Sequence, residues 1–123
     1  MKRVLIVDDD AAVREVLSSA LTHFGHKAYK ASNGAEAIDV LRANPEIEIV
    51  ILDLRMPVMT GREVCPLIKN MRPDIEIIIS SGFVDELVLR ELNNHGVKYI
   101  LHKPYPLPVL EEIINNHSAR REL

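Results

Sequence analysis

The sequence predicts an α/β fold in which a parallel sheet carries helices on both faces, and three features point to it. Short, continuous, branched apolar runs alternate with longer stretches whose apolar residues recur every three or four positions. The runs at residues 4–7 (VLIV), 49–52 (IVIL) and 77–79 (III) are apolar throughout, as strands buried on both faces require. Strand-like and helix-like stretches alternate five times, which implies right-handed crossovers between parallel strands. A chain of 123 residues is long enough to bury a sizeable core and reads as a single domain over residues 1–123.

After the first strand at 4–7, Val13, Val16, Leu17, Ala20, Leu21 and Phe24 mark one face of a first helix, and Gly25 stands where a C-terminal cap belongs. Residues 26–31 form a more polar, edge-like second strand. Ser32 and Asn33, both good N-caps, open a second helix that turns Ile38 and Leu41 inward before Pro45. The third strand is 49–52. A third helix follows with Val64, Leu67, Ile68 and Met71 on its apolar face, and Pro66 inside it removes one hydrogen bond. After the strand at 77–79, Val84, Leu87, Val88 and Leu92 mark a fourth helix closed by Gly96. Residues 97–101 are the fifth strand, and Leu110, Ile113 and Ile114 belong to the last helix. Cys65 is the single cysteine and reads as a small apolar side chain, because no C-x-x-C pattern accompanies it.

Composition narrows the function classes. With 47% apolar and 27% charged residues and no apolar run near the roughly 20 residues of a membrane span, no membrane insertion is expected. Residues 4–7 are too short for the apolar core of a signal peptide, so a cytoplasmic location is the expectation. A net charge of −3 and a pI near 5.9 disfavour direct nucleic-acid binding, which usually leaves a basic footprint. Lys2/Arg3 and Arg120/Arg121 are short basic pairs of the kind found at solvated termini.

Open parallel sheets place their sites at the carboxyl ends of the strands. Asp8, Asp9 and Asp10 follow the first strand, Asp53 the third, Ser80-Ser81-Gly82 the fourth, and His102-Lys103-Pro104 the fifth. Carboxylates this close raise one another's pKa unless a cation intervenes, and a hard divalent cation such as Mg²⁺ takes one or two carboxylates together with phosphate oxygens. The strand ends therefore suit a cation beside a phosphoryl group. Asp10, immediately before the helical pattern, suits a helix N-cap instead. Asp53 alone could be a turn former before Met56-Pro57, and Lys103 alone a surface lysine; their company at one edge favours a site.

At this point the residues resemble the receiver domain of two-component response regulators. "VLIVDDD", "ILDLRMPVMTG", "IIISSGF" and "YILHKPY" match its strand-end signatures in order, over essentially the whole chain. The resemblance implies a flavodoxin-like, doubly wound sheet of five strands in the order 2-1-3-4-5 with five helices. It also implies phosphorylation of Asp53 by the phosphohistidine of a sensor histidine kinase or a histidine phosphotransfer protein. Asp8 and Asp9 match the acidic pair that holds Mg²⁺ with Asp53, and the backbone carbonyl of Arg55 is expected to add a ligand. Lys103 matches the lysine that pairs with the phosphoryl group, and its bond to Pro104 is expected to be cis. An ionised carboxylate is already a nucleophile, so no general base is needed and the five histidines need not be catalytic.

The family's switch hydroxyl aligns with Ser81. Strand alternation turns Ser80 and Ser81 to opposite faces, so one of them reaches the phosphate; Ser81 is the assignment and Ser80 the alternative. The usual switch aromatic lies three residues before the lysine, where this chain has Ile100, and the neighbouring Tyr99 should face away. A muted or differently built switch follows, on the fourth helix, fifth strand and fifth helix, a face that also leaves room for a homodimer. Arg55 and Phe83, each two positions past a site residue, match positions that tune phosphoryl lifetime, with Phe83 as a shield against water. A pseudo-receiver that only binds partners is the alternative function. A haloacid-dehalogenase-type phosphatase fails at Arg55, where it needs a second Asp, and a flavodoxin fails at the carboxylates after the first strand.

Overall fold

The computed structural model describes the backbone of residues 1–56, 60–82 and 85–122, and side chains within these as far as residue 116. Five strands, β1 (Arg3–Val7), β2 (Lys27–Ala31), β3 (Ile49–Leu52), β4 (Glu76–Ser81) and β5 (Tyr99–His102), alternate with five helices. The helices are α1 (Ala11–His23), α2 (Gly34–Ala43), α3 (Gly61–Met71), α4 (Glu86–Asn94) and α5 (Leu107–Glu122). All strand pairs are parallel and the order is β2-β1-β3-β4-β5. The parallel sheet with helices on both faces expected from the strand and helix alternation is observed, and so is the doubly wound order 2-1-3-4-5 that the resemblance implies.

The period of two along each strand divides the core into two layers. Leu5, Val7, Val50, Leu52, Ile77 and Ile79 face α2, α3 and α4, where Ala37, Leu41, Val64, Ile68 and Leu92 meet them. Val4, Ile6, Ile49, Ile51 and Ile78 face α1 and α5, against Leu17, Leu21, Leu110 and Ile114. β2 lies at an edge, and only Ala31 of its residues is fully buried. Burying a branched side chain in such a layer contributes roughly 1.5 to 3 kcal/mol, so the central strands hold the sheet together.

Local chemistry sets where the helices begin. The Asp10 carboxylate accepts the Ala12 and Val13 N–H groups, Asn33 caps α2 through the Glu36 N–H, and Thr60 and Glu63 form a reciprocal capping box on α3. α3 runs on through Pro66. Gly25 and Gly96 follow α1 and α4 at φ +89° and +85°, the left-handed conformation that ends a helix.

The helix faces are narrower than the sequence pattern. α1 buries Leu17 and Leu21, while Val16 is 56% exposed and Phe24 is also exposed; Leu67 of α3 and Leu87 of α4 point outward as well. A helix lying on a flat sheet covers little more than one i, i+4 stripe, and these residues fall beside it. Val84, expected on the fourth helix, lies outside the described residues. His26 precedes β2, accepts the Lys2 N–H at Nδ1 (3.0 Å) and pairs through Nε2 with Glu111 of α5 (2.8 Å).

Candidate functional site

The parallel register brings the carboxyl ends of the strands level. Val7 pairs with both Ala31 and Leu52, and Ser81 with His102. The ladder continues one residue further on each side of β1: the Asp8 N–H donates to Ala31 O (3.2 Å) and the Asp53 N–H to Val7 O (3.0 Å). Asp8 and Asp53 are thus fixed at the backbone, and both are buried, at 2% and 6% exposure.

Each buried carboxylate has an internal partner. Asp8 Oδ1 accepts the Asp10 N–H (2.9 Å), and the Asp8 carbonyl accepts from the Arg14 guanidinium (2.7 Å). Asp53 Oδ1 accepts the Arg55 N–H (3.1 Å). Asp9 is exposed. The start of α3 lies so close to Asp53 that a Cβ on Gly61 would stand 2.2 Å from the Asp53 carbonyl oxygen and 2.9 Å from Leu54 Cα. Glycine is required there by backbone proximity, and the Gly61 N–H donates to Leu54 O at 3.2 Å.

Lys103, directly after β5, closes the site. Its Nζ donates to Asp8 Oδ2 at 2.9 Å and lies 3.8 Å from Asp53 Oδ2. The Lys103–Pro104 peptide is cis, and the Lys103 N–H donates to the Ser81 carbonyl at 2.8 Å. Burial pulls the Lys103 pKa down, but the hydrogen bond to Asp8 and the charges of Asp53 and Asp8 outweigh it and leave the value raised. Burial raises Asp53, the Arg55 N–H works against that, and Asp8 and Asp9 add to the rise while Lys103 opposes it. One ammonium faces two buried carboxylates and a third exposed one, so negative charge is left over.

Asp8, Asp9 and Asp53 each offer a carboxylate oxygen, and these atoms lie within 4.8 Å of one another. Three hard oxygen donors at that spacing, with an excess of negative charge, fit a hard divalent cation. Among the described residues Arg55 is exposed, and its carbonyl belongs to the same turn as its N–H to Asp53. Phe83 lies outside the described residues.

Ser80 and Ser81 both end β4 fully buried, at 1% and 0% exposure. Ser80 pairs with Leu101 of the α1/α5 layer, and its Oγ lies 2.8 Å from the Tyr105 hydroxyl; alternation turns Ser81 to the opposite face. Ile100 packs in the layer under α2, α3 and α4, and Tyr99 in the other. The serine pair therefore divides between two faces. Tyr105 was not reached by sequence reasoning, although the aromatic in "HKPY" was the available signal.

The model of the "Response regulator receiver domain" family matches residues 4–115. Among curated relatives, the chemotaxis protein CheY of Thermotoga maritima is 33% identical over 95% of this chain and 98% of its own. The autoinducer 1 sensor kinase/phosphatase LuxN of Vibrio campbellii is 33% identical over 92% of this chain, which spans 13% of that protein's length. A solved CheX-CheY-BeF3-Mg+2 complex from Borrelia burgdorferi contains a chain 28% identical with a TM-score of 0.85, covering 93% of this chain and 87% of that one. Among the described residues no helix is long and apolar enough to cross a membrane.

Proposed function

From the premise that the chain belongs to the response regulator receiver domain family of two-component systems, we propose that Asp53 is the phosphoacceptor of a phosphorelay. The donor is the phosphohistidine of a sensor histidine kinase or a histidine phosphotransfer protein. Residues 1–123 act as one receiver unit. The convergence of the Asp8, Asp9 and Asp53 carboxylates with the Lys103 ammonium is the observation that carries this reading.

An Asp53 carboxylate oxygen attacks phosphorus as the P–N bond breaks, and the bonding electron pair leaves with the imidazole nitrogen. The Arg55 N–H holds the other oxygen and orients the carboxylate toward the opening of the site. The Lys103 ammonium, within 3.8 Å of Asp53, stands where it can pair with a phosphoryl oxygen. The Ser81 hydroxyl is the assigned phosphate-binding and switch group, and Ile100 occupies the position of the usual aromatic. Asp8, Asp9 and Asp53, with the Arg55 carbonyl, would hold Mg²⁺. When bound, the cation neutralises charge on the phosphoryl oxygens and fixes their direction. The relative solved with beryllofluoride and Mg²⁺ supports that assignment.

Fluorine NMR of the protein with beryllofluoride tests the reading. A bound signal that needs Mg²⁺ and is lost in Asp53→Asn is expected. A bound signal that persists in the variant, or none in the wild type, contradicts it.

A further inference from the structure

Ser80, buried at the end of β4, and Tyr105, half-buried after β5, are polar partners beside the site that the phosphoryl chemistry leaves unused. Ser80 Oγ and the Tyr105 hydroxyl lie 2.8 Å apart on the α1/α5 face of the sheet. Tyr105 packs against the α1/α5 core cluster on one side and lines an open apolar groove with Val13, Val16, Leu17 and Leu107 on the other, and the serine holds its polar end. Burial raises the phenol's pKa, with the Ser80 hydrogen bond opposing the rise, so it remains a neutral O–H near pH 7.

Lys103 lies two residues before Tyr105, and its backbone N–H is already bound to the carbonyl of Ser81. The turn that carries Lys103 is therefore fastened to two consecutive residues of β4, by its backbone at Ser81 and by the Tyr105 side chain at Ser80. A lysine stem keeps considerable rotamer freedom unless its base is held, and a loosened base would spread the ammonium over a wider volume. The 2.9 Å contact to Asp8 and the 3.8 Å approach to Asp53 depend on that base.

We propose that the Ser80–Tyr105 hydrogen bond positions Lys103, and that Ser80 and Tyr105 thereby set the affinity of the site for a phosphoryl-like anion. The anion part rests on the phosphoacceptor reading; the placement of Lys103 does not. Ser80, the alternative switch hydroxyl by sequence, becomes a positioning residue engaged on the other face of the strand.

The test compares wild type, Tyr105→Phe, Ser80→Ala and the double variant. In ligand-free protein labelled with ¹⁵N-lysine, the Lys103 ammonium, assigned by its loss in Lys103→Arg, is expected to give a slowly exchanging signal that broadens in either single variant. With saturating Mg²⁺, beryllofluoride affinity is expected to fall about fivefold in each single variant, the size of one lost hydrogen bond, and no further in the double variant. Mg²⁺ affinity should stay within about twofold of wild type, which a general loosening of the fold would not allow. An unchanged ammonium signal in Tyr105→Phe, additive losses in the double variant, or a parallel loss of Mg²⁺ affinity would each overturn the proposal. If wild type takes up no beryllofluoride, the phosphoacceptor reading falls, and the ammonium signal alone decides the role of Tyr105.

Discussion

Asp53 is a carboxylate placed where its charge is costly. Burial raises its pKa and the neighbouring Asp8 and Asp9 add to the rise, while the Arg55 N–H and Lys103 oppose it. A carboxyl whose folded value exceeds its unfolded value binds its proton more tightly in the native state. Stability therefore falls as pH rises from the unfolded value through the folded one, and stays lower at neutral pH. Asp53→Asn keeps an acceptor for the Arg55 N–H and removes the charge. Without Mg²⁺ at pH 7 the variant should be more stable than wild type by on the order of 1 kcal/mol in urea denaturation, and the gap should shrink as pH falls toward about 4. A less stable variant at pH 7 would show that the Lys103 pairing outweighs the burial of the charge. The three consecutive aspartates divide in a similar way. Asp10 caps α1 and Asp9 is exposed beside the cluster, so Asp10→Ala should cost about 1 kcal/mol of stability with little change in Mg²⁺ affinity. Asp9→Ala should do the reverse, and calorimetric titration of Mg²⁺ into both variants checks the division.

Between elements, a tight constraint is the approach of Gly61, the first residue of α3, to the backbone of Asp53 and Leu54 after β3. Gly61→Ala would drive a methyl group into the Asp53 carbonyl, and because the atoms it meets are backbone, one of the two segments must shift. The variant should lose about 2 kcal/mol of stability, the scale of overpacking in a dense region. It should also take up beryllofluoride less well than its residual folded fraction predicts, because the carbonyl it displaces belongs to the proposed nucleophile. Uptake in proportion to folded protein would separate this contact from the chemistry. The strands were legible because a segment buried on both faces must be apolar throughout, as residues 4–7 and 49–52 are. The helix faces were less so: Val16, Leu67 and Leu87 fall on the helical period yet point outward, because periodicity marks an apolar side without saying how much of it the sheet covers.

Across the whole molecule, the site exists because parallel register puts four strand ends on one edge. Its acids and lysine were readable as soon as the strands were, since Asp8, Asp53 and Lys103 each directly follow a strand. Pairings between distant segments were not. The bond between Ser80 and Tyr105 spans 25 residues and that between His26 and Glu111 spans 85, and no local pattern encodes either. With Ile100 in the position of the usual aromatic, amide exchange with and without beryllofluoride should change mainly at the strand-end loops and little over α4, β5 and α5. A large change over those three elements would mean that Ile100 supports a full switch. The phosphoacceptor role itself is tested most directly by intact mass after incubation with acetyl phosphate, for wild type and Asp53→Asn in parallel. A labile gain of one phosphoryl group that requires Mg²⁺ and is absent from the variant is the predicted result; a gain that persists in Asp53→Asn, or that forms equally without Mg²⁺, would contradict it.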